Sequence, residues 1–181
     1  SGAEKFQRAV AIRATPESEP KMSKQTGFHD RLSKLTRNFV EYRGYWLANS
    51  YAEAGPIEEY WACRQKSVLL DLSALRKFEV TGPDAYGFLE RICANKIPAK
   101  DGGIILGHLL NENGFIESEI TVTRLGPEHF YVLSAAVAQL HDKDQLEWRR
   151  LATEKVTITD VTDDFGVLVL AGPLAREVLS K

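Results

Sequence analysis

Three features of the 181-residue sequence predict an α+β fold, an antiparallel or mixed sheet with helices packed on one face. Three runs, IILGHLLN (104–111), FIESEITVTRL (115–125) and HFYVLS (129–134), follow one another across turn residues and read as successive strands. Segments with helical spacing return between the strand runs, as helices stacked over one face of a sheet require. No GxGxxG follows any strand, so a doubly wound dinucleotide fold is not expected.

Residues 1–25 read as a poorly specified leader ahead of a single unit over 26–181. Glu4, Glu17 and Glu19 argue against a transit-like helix there. From Phe28 the spacing of Leu32, Leu35 and Phe39 predicts a helix, and FVEYRGYWLANSY reads as aromatic strand and turn around Gly44. Gly55 and Pro56 open a helix over PIEEYWACRQK, where proline at the first position loses no N–H partner and Glu58 and Glu59 sit at the positive end of the dipole. Ile57, Tyr60 and Trp61 are expected to pack. The strand KFEV then leads into the helix of GPDAYGFLERICAN, whose Phe88, Leu89 and Ile92 share an apolar stripe.

Asn113-Gly114 predicts a tight hairpin with positive φ at both central residues. A long helix over about 136–152 is expected to bury Val137, Leu140, Trp148 and Leu151. Strands VTITDV and GVLVLA lead to a last helix, GPLAREVLSK, which has no C-terminal cap signal, so the chain is expected to be truncated. FEVTGPDAYGFL and LVLAGPLAREVL repeat one pattern of strand, Gly-Pro turn and helix, consistent with a duplicated α+β unit rather than two phosphate loops.

Basic and acidic residues nearly cancel, 23 against 25, which leaves no electrostatic footprint for nucleic acid. Cys63 and Cys93 fall in helical segments and suit buried thiols in a reducing, cytoplasmic-type compartment. The four histidines show no ligand spacing, so no metal site is expected, and no apolar run is long enough to span a bilayer. Ser73 and Ser134 lack a visible His and Asp arrangement for nucleophilic catalysis, and Asp160, Asp163 and Asp164 read as turn residues. Tyr42, Tyr45, Trp46 and Tyr51 read as packing residues or as the lining of a ring pocket.

Strict alternation along 116–123 would put Ile116, Ser118, Ile120 and Val122 on one face and Glu117, Glu119, Thr121 and Thr123 on the other. That second face reads either as a solvated surface or as a site in which one glutamate contacts a basic nitrogen. Periodicity leaves both open.

Taken together, EEYWACRQKSVLLDLSALRKFEVTGPDA, ANKIP, GHLLNENGFIESEITVTRL, HDKDQLEW and DDFGVLVLAGPLAREVL, in this order, resemble one family. It is the folate-binding domain shared by the glycine cleavage system T protein (aminomethyltransferase) and the C-terminal region of dimethylglycine and sarcosine dehydrogenases. The resemblance runs from about Phe39 to Lys181 and is nearer the dehydrogenase branch. It implies tetrahydrofolate-dependent one-carbon transfer from an N-methyl or aminomethyl donor, with any flavin site on a separate dehydrogenase domain or subunit. It also implies a cytoplasmic location, or the mitochondrial matrix in a eukaryote.

T proteins carry an acidic pair after the hairpin turn, and here Ser118 and Glu119 occupy its positions, so the resemblance implies Glu119 as the catalytic carboxylate. It further implies cofactor contacts at Leu75, Leu106, Ser118, Glu119 and Ser134. Leu75 and Leu106 replace a methionine and a tyrosine of the T-protein pattern, and Ser134, or Ala135, replaces an asparagine. Alternatives within the superfamily are an iron–sulfur cluster assembly factor, whose KGCYxGQ-like motif would lie past Lys181, and a folate-dependent demethylase of a sulfonium or methoxy donor.

Overall fold

In the computed structural model, which describes residues 23–51, 55–138 and 140–181, the chain first forms β1 (Lys24–Gln25), α1 (His29–Leu32), β2 (Phe39–Tyr42) and β3 (Tyr45–Ala48). Residues 1–22 of the stretch read as a leader lie outside the described residues. Next come α2 (Pro56–Gln65), β4 (Val68–Asp71), β5 (Arg76–Thr81) and α3 (Ala85–Ile92). The meander β6 (Ile104–Leu110), β7 (Ile116–Gly126) and β8 (His129–Ser134) follows, then α4 (His141–Arg149), β9 (Thr157–Asp160), β10 (Leu168–Ala171) and α5 (Ala175–Leu179).

The main sheet has five strands in the order β6-β7-β8-β5-β9, each neighbouring pair antiparallel. Its inner face carries Phe78, Val80, Ile120, Val122, Phe130 and Val132, which close on Phe88, Leu89 and Ile92 of α3 and Leu146 of α4. Each large apolar side chain fully buried there contributes about 1.5–3 kcal/mol. The expected α+β architecture, with helices on one face, is what this core holds together. Two smaller sheets flank it, β1-β3-β2 and β10-β4.

The outer face of the main sheet is covered on one side only. Lys77 of β5 is fully buried there, its Nζ donating to the Ser73 carbonyl at 2.7 Å, and Phe165 meets Tyr131 of β8 edge-on. Over β6 and β7 the same face is open, with Ile104 and Leu106 exposed.

The Gly-Pro echo proves to be one local geometry used twice. Gly82 and Gly172 take φ of +123° and +117°, and a Cβ on either would fall 2.2 or 2.5 Å from a backbone carbonyl oxygen, that of Lys155 or Lys66. Pro83 and Pro173 are turn residues two positions ahead of the helices, not first helical residues; Ala85 and Ala175 donate back to the Gly82 and Gly172 carbonyls and close the turns.

Several sequence expectations fail at helices. The helix expected from Phe28 is one turn long, and Phe39 already belongs to β2. No residue of α2 is buried: Ile57, Tyr60 and Trp61 face outward, because no element among the described residues packs over that stripe. The long helix over 136–152 is a 3₁₀ turn at Ala136–Ala138 followed by α4. Val137, Leu140, Trp148 and Leu151 are all exposed, and α4 turns Asp142 and Leu146 inward instead. Trp61 and Trp148 are therefore surface residues, not core.

Candidate functional site

The β6–β7 hairpin is closed by Asn111–Gly114. Gly114 donates to the Asn111 carbonyl, and the Asn111 side chain accepts from the backbone N–H groups of Asn113 and Phe115. Only Gly114 takes positive φ, +81°. The chain thus turns through a three-residue loop, Glu112 to Gly114, with a left-handed glycine at its end, not the two-residue type expected from Asn-Gly, because the Asn111 side chain caps a turn that starts one residue earlier.

One irregularity in this hairpin decides where the two glutamates go. Leu109 faces Ser118 and Leu110 faces Ile116, so Glu117 is an extra residue in β7, a β-bulge. The alternation that would put Glu117 beside Glu119 is broken there. The Glu117 carboxylate accepts from the Asn111 side-chain amide at 2.9 Å and stands 3.6 Å from Nε2 of His141 at the start of α4. Glu119 lies on the opposite side of the sheet, directly across from His108, with Oε2 3.4 Å from His108 Nε2.

Ser118 points inward. Its hydroxyl donates to Asp142 Oδ1 at 2.7 Å, and both side chains are buried, at 7% and 1% exposure. The same Asp142 oxygen lies 3.1 Å from His141 Nδ1, while its other oxygen has no hydrogen-bond partner among the described residues. Ser118, Asp142, His141 and Glu117 thus form a chain tying the bulge to α4. It does not have the geometry of a nucleophile activated by histidine, because serine and histidine both meet the aspartate.

Of the five residues implied as cofactor contacts, two share the open outer face: Leu106, paired with Thr121, and Glu119. Both are well exposed, Leu106 at 56% and the Glu119 side chain at 61%. Ser118 and Ser134 lie on the inner face, and the buried Ser134 hydroxyl has no partner among the described residues. Leu75 is half-buried just before β5, and Arg76 of that strand pairs with Ser134. The open face therefore offers an apolar shelf, Ile104 and Leu106, beside an exposed carboxylate. Such a surface suits a flat heteroaromatic ring with N–H groups on its edge.

Sequence reasoning missed His108, His141 and Asp142. Counting back from the turn without the bulge pairs His108 with Ser118, and only the extra residue brings it opposite Glu119. Away from this face, Asp163 is held below the usual aspartate range by hydrogen bonds from Lys24 and then Tyr45, and burial with Asp163 pushes Tyr45 up to about 12. That cluster joins β1 and β3 to the segment after β9 and touches none of the residues around Glu119. Cys63 and Cys93 are free thiols, Cys93 buried. No helix among the described residues is long and apolar enough to cross a membrane.

Residues 28–181 match the model of the GCVT N-terminal domain. The whole chain aligns with 23% of the trimethylamine-oxide aldolase of Ruegeria pomeroyi at 46% identity. Over 68% of its length it is 37% identical to 14% of mitochondrial dimethylglycine dehydrogenase of Rattus norvegicus. The chain thus spans less than a quarter of either of these curated relatives. Among solved structures, the glycine cleavage system aminomethyltransferase T of Bartonella henselae superposes with a TM-score of 0.78 at 26% identity, covering 87% of this chain and 43% of that one.

Proposed function

Because the chain belongs to the GCVT N-terminal domain family, whose members compared above are enzymes, we propose that it carries the carboxylate side of a tetrahydrofolate-dependent one-carbon transfer site, with Glu119 as the catalytic residue. The observation that carries this reading is the exposed Glu119 carboxylate beside the Ile104–Leu106 shelf on the open face of the main sheet. Leu106 and Ile104 would hold the flat ring, and Glu119 would meet its N–H edge. Bound tetrahydrofolate supplies amines that take up a carbon at the oxidation level of formaldehyde.

Glu119 acts on the proton. As the amine bonds to the iminium-like or aminomethyl carbon, the C–N bonding pair passes to the donor nitrogen, which leaves as an amine; the folate nitrogen becomes cationic, and a carboxylate at hydrogen-bond distance would stabilise that charge and accept the proton it sheds. The donor is an aminomethyl group, or an N-methyl amine already oxidised by a flavin enzyme outside this chain, so no redox step falls to these residues. Ser118 anchors β7 from the inner face through Asp142. Similarity of the whole chain to 23% of a trimethylamine-oxide aldolase favours a methylated amine compound as the origin of the carbon over a sulfonium or methoxy donor.

Calorimetric titration of tetrahydrofolate into wild type, Glu119→Ala and Glu117→Ala tests the reading. Wild type and Glu117→Ala are expected to bind alike, with binding or transfer lost in Glu119→Ala. Equal behaviour of all three, or no binding by wild type, overturns it.

A further inference from the structure

We propose that His108 is a positioning residue for Glu119, holding one carboxylate oxygen so that the other is presented to the reacting amine. The inference rests on the reading of Glu119 given above. It begins from the bulge: without the extra residue at Glu117, His108 would face Ser118, and with it His108 and Glu119 are direct cross-strand partners on the outer face. Nε2 of His108 stands 3.4 Å from Oε2 of Glu119, a contact that needs little tightening to become a hydrogen bond. Among the described residues no side chain hydrogen-bonds the Glu119 carboxylate, and the ionisable group within 4 Å of it is His108.

The two partners differ in freedom. Glu119 is 61% exposed at its side chain, with three rotatable bonds, and by itself would sample several rotamers, so ordering it costs entropy. His108 is 30% exposed, and its backbone is pinned from the other side: its carbonyl accepts from Ala94 N–H at 2.9 Å, and the next residue, Leu109, bridges Cys93 beyond α3. A short, stiff imidazole on an anchored strand is therefore set against a long, mobile carboxylate. With its proton on Nε2, His108 engages Oε2 and leaves Oε1 to face the ligand, which shortens the search for a reactive geometry.

The test uses the protein with His108→Ala, His108→Gln, Glu119→Ala and the double variant His108→Ala/Glu119→Ala. Gln is chosen because its amide nitrogen can stand where Nε2 stands. His108→Ala is expected to lower the turnover of one-carbon transfer about tenfold, with tetrahydrofolate affinity and thermal midpoint nearly unchanged. His108→Gln should recover most of that loss, and the double variant should be no slower than Glu119→Ala alone. A wild-type rate in His108→Ala, or losses that multiply in the double variant, overturns the proposal.

A second readout needs no folate. Side-chain scalar couplings of Glu119 should report one dominant rotamer in wild type and an averaged set in His108→Ala. Unchanged couplings overturn the positioning role even if wild type proves unable to transfer carbon, which would count against the folate reading separately.

Discussion

Replacing Ser118 by alanine isolates the hydrogen bond that, among the described residues, ties the bulged strand to α4. In the folded protein the Ser118 hydroxyl donates to Asp142 Oδ1 at 2.7 Å, with serine 7% and aspartate 1% exposed. Hydrogen bonds to a charged acceptor contribute about 1.5–3 kcal/mol, and losing one that leaves the acceptor buried falls toward the upper part of that range. Asp142 has little in reserve: its second oxygen is already without a partner among the described residues, and only His141 remains near the first. Ser118→Ala should therefore destabilise by about 2–3 kcal/mol. For a chain of this length that corresponds to a thermal midpoint lowered by roughly 5–10 °C.

Urea unfolding of wild type, Ser118→Ala, Asp142→Ala and the double variant measures it. Once Asp142 is gone the serine hydroxyl no longer stabilises a buried carboxylate, so the two losses should fall short of additive by at least about 1 kcal/mol. A Ser118→Ala cost below about 0.5 kcal/mol, or strict additivity, would refute the assignment. The same variant also separates two roles for Ser118. A side chain that contacts folate would change ligand affinity at unchanged stability; one that anchors α4 would do the reverse.

Gly82→Ala should cost about 3 kcal/mol or more in urea unfolding, because the new Cβ meets the Lys155 carbonyl oxygen at 2.2 Å and the backbone holds φ at +123°. Gly87→Ala, in α3 with open space around it, is the control and should gain about 0.5–1 kcal/mol; equal effects would show that the turn relaxes. Two groups at the β3 junction give the stability opposite pH limits. Asp163, held below its ordinary value, contributes fully above about pH 4 and loses that contribution as pH falls through its depressed folded value. Tyr45, raised from 10.0 to about 12, contributes fully below pH 10 and loses that contribution as pH rises toward 12. Tyr45→Phe should flatten the alkaline limb of a stability–pH profile, and an unchanged slope would show that Tyr45 is not its source.

The order of the elements was legible because each rests on residues a few positions apart. Alternation along 104–134 marks three contiguous strands, and the α3 stripe of Phe88, Leu89 and Ile92 meets the sheet as its spacing implies. What was not legible depends on partners far away in the chain. The inner face of α4 is set by Asp142, whose burial depends on Ser118, 24 residues earlier. Without that partner in view, the apolar residues Trp148 and Leu151 make the better guess, and they prove exposed. Similarly, β5 lies between β8 and β9, a neighbourhood that no local pattern encodes.

The two glutamates show how a single backbone irregularity can outweigh a side-chain pattern. Glu117 and Glu119 have the same side chain and lie two residues apart, yet one accepts from Asn111 near α4 while the other faces His108 across an open sheet face. The bulge produces this division, since an extra residue in one strand reverses the faces presented by everything on one side of it. The row Leu106, His108, Glu119, Thr121 exists as a row only because Glu117 is left out of the pairing. The network of Ser118, Asp142, His141 and Asn111 encloses that omitted residue. It touches no atom of the open face, and its part in any chemistry there is to keep β7 in the register that puts a carboxylate opposite an imidazole.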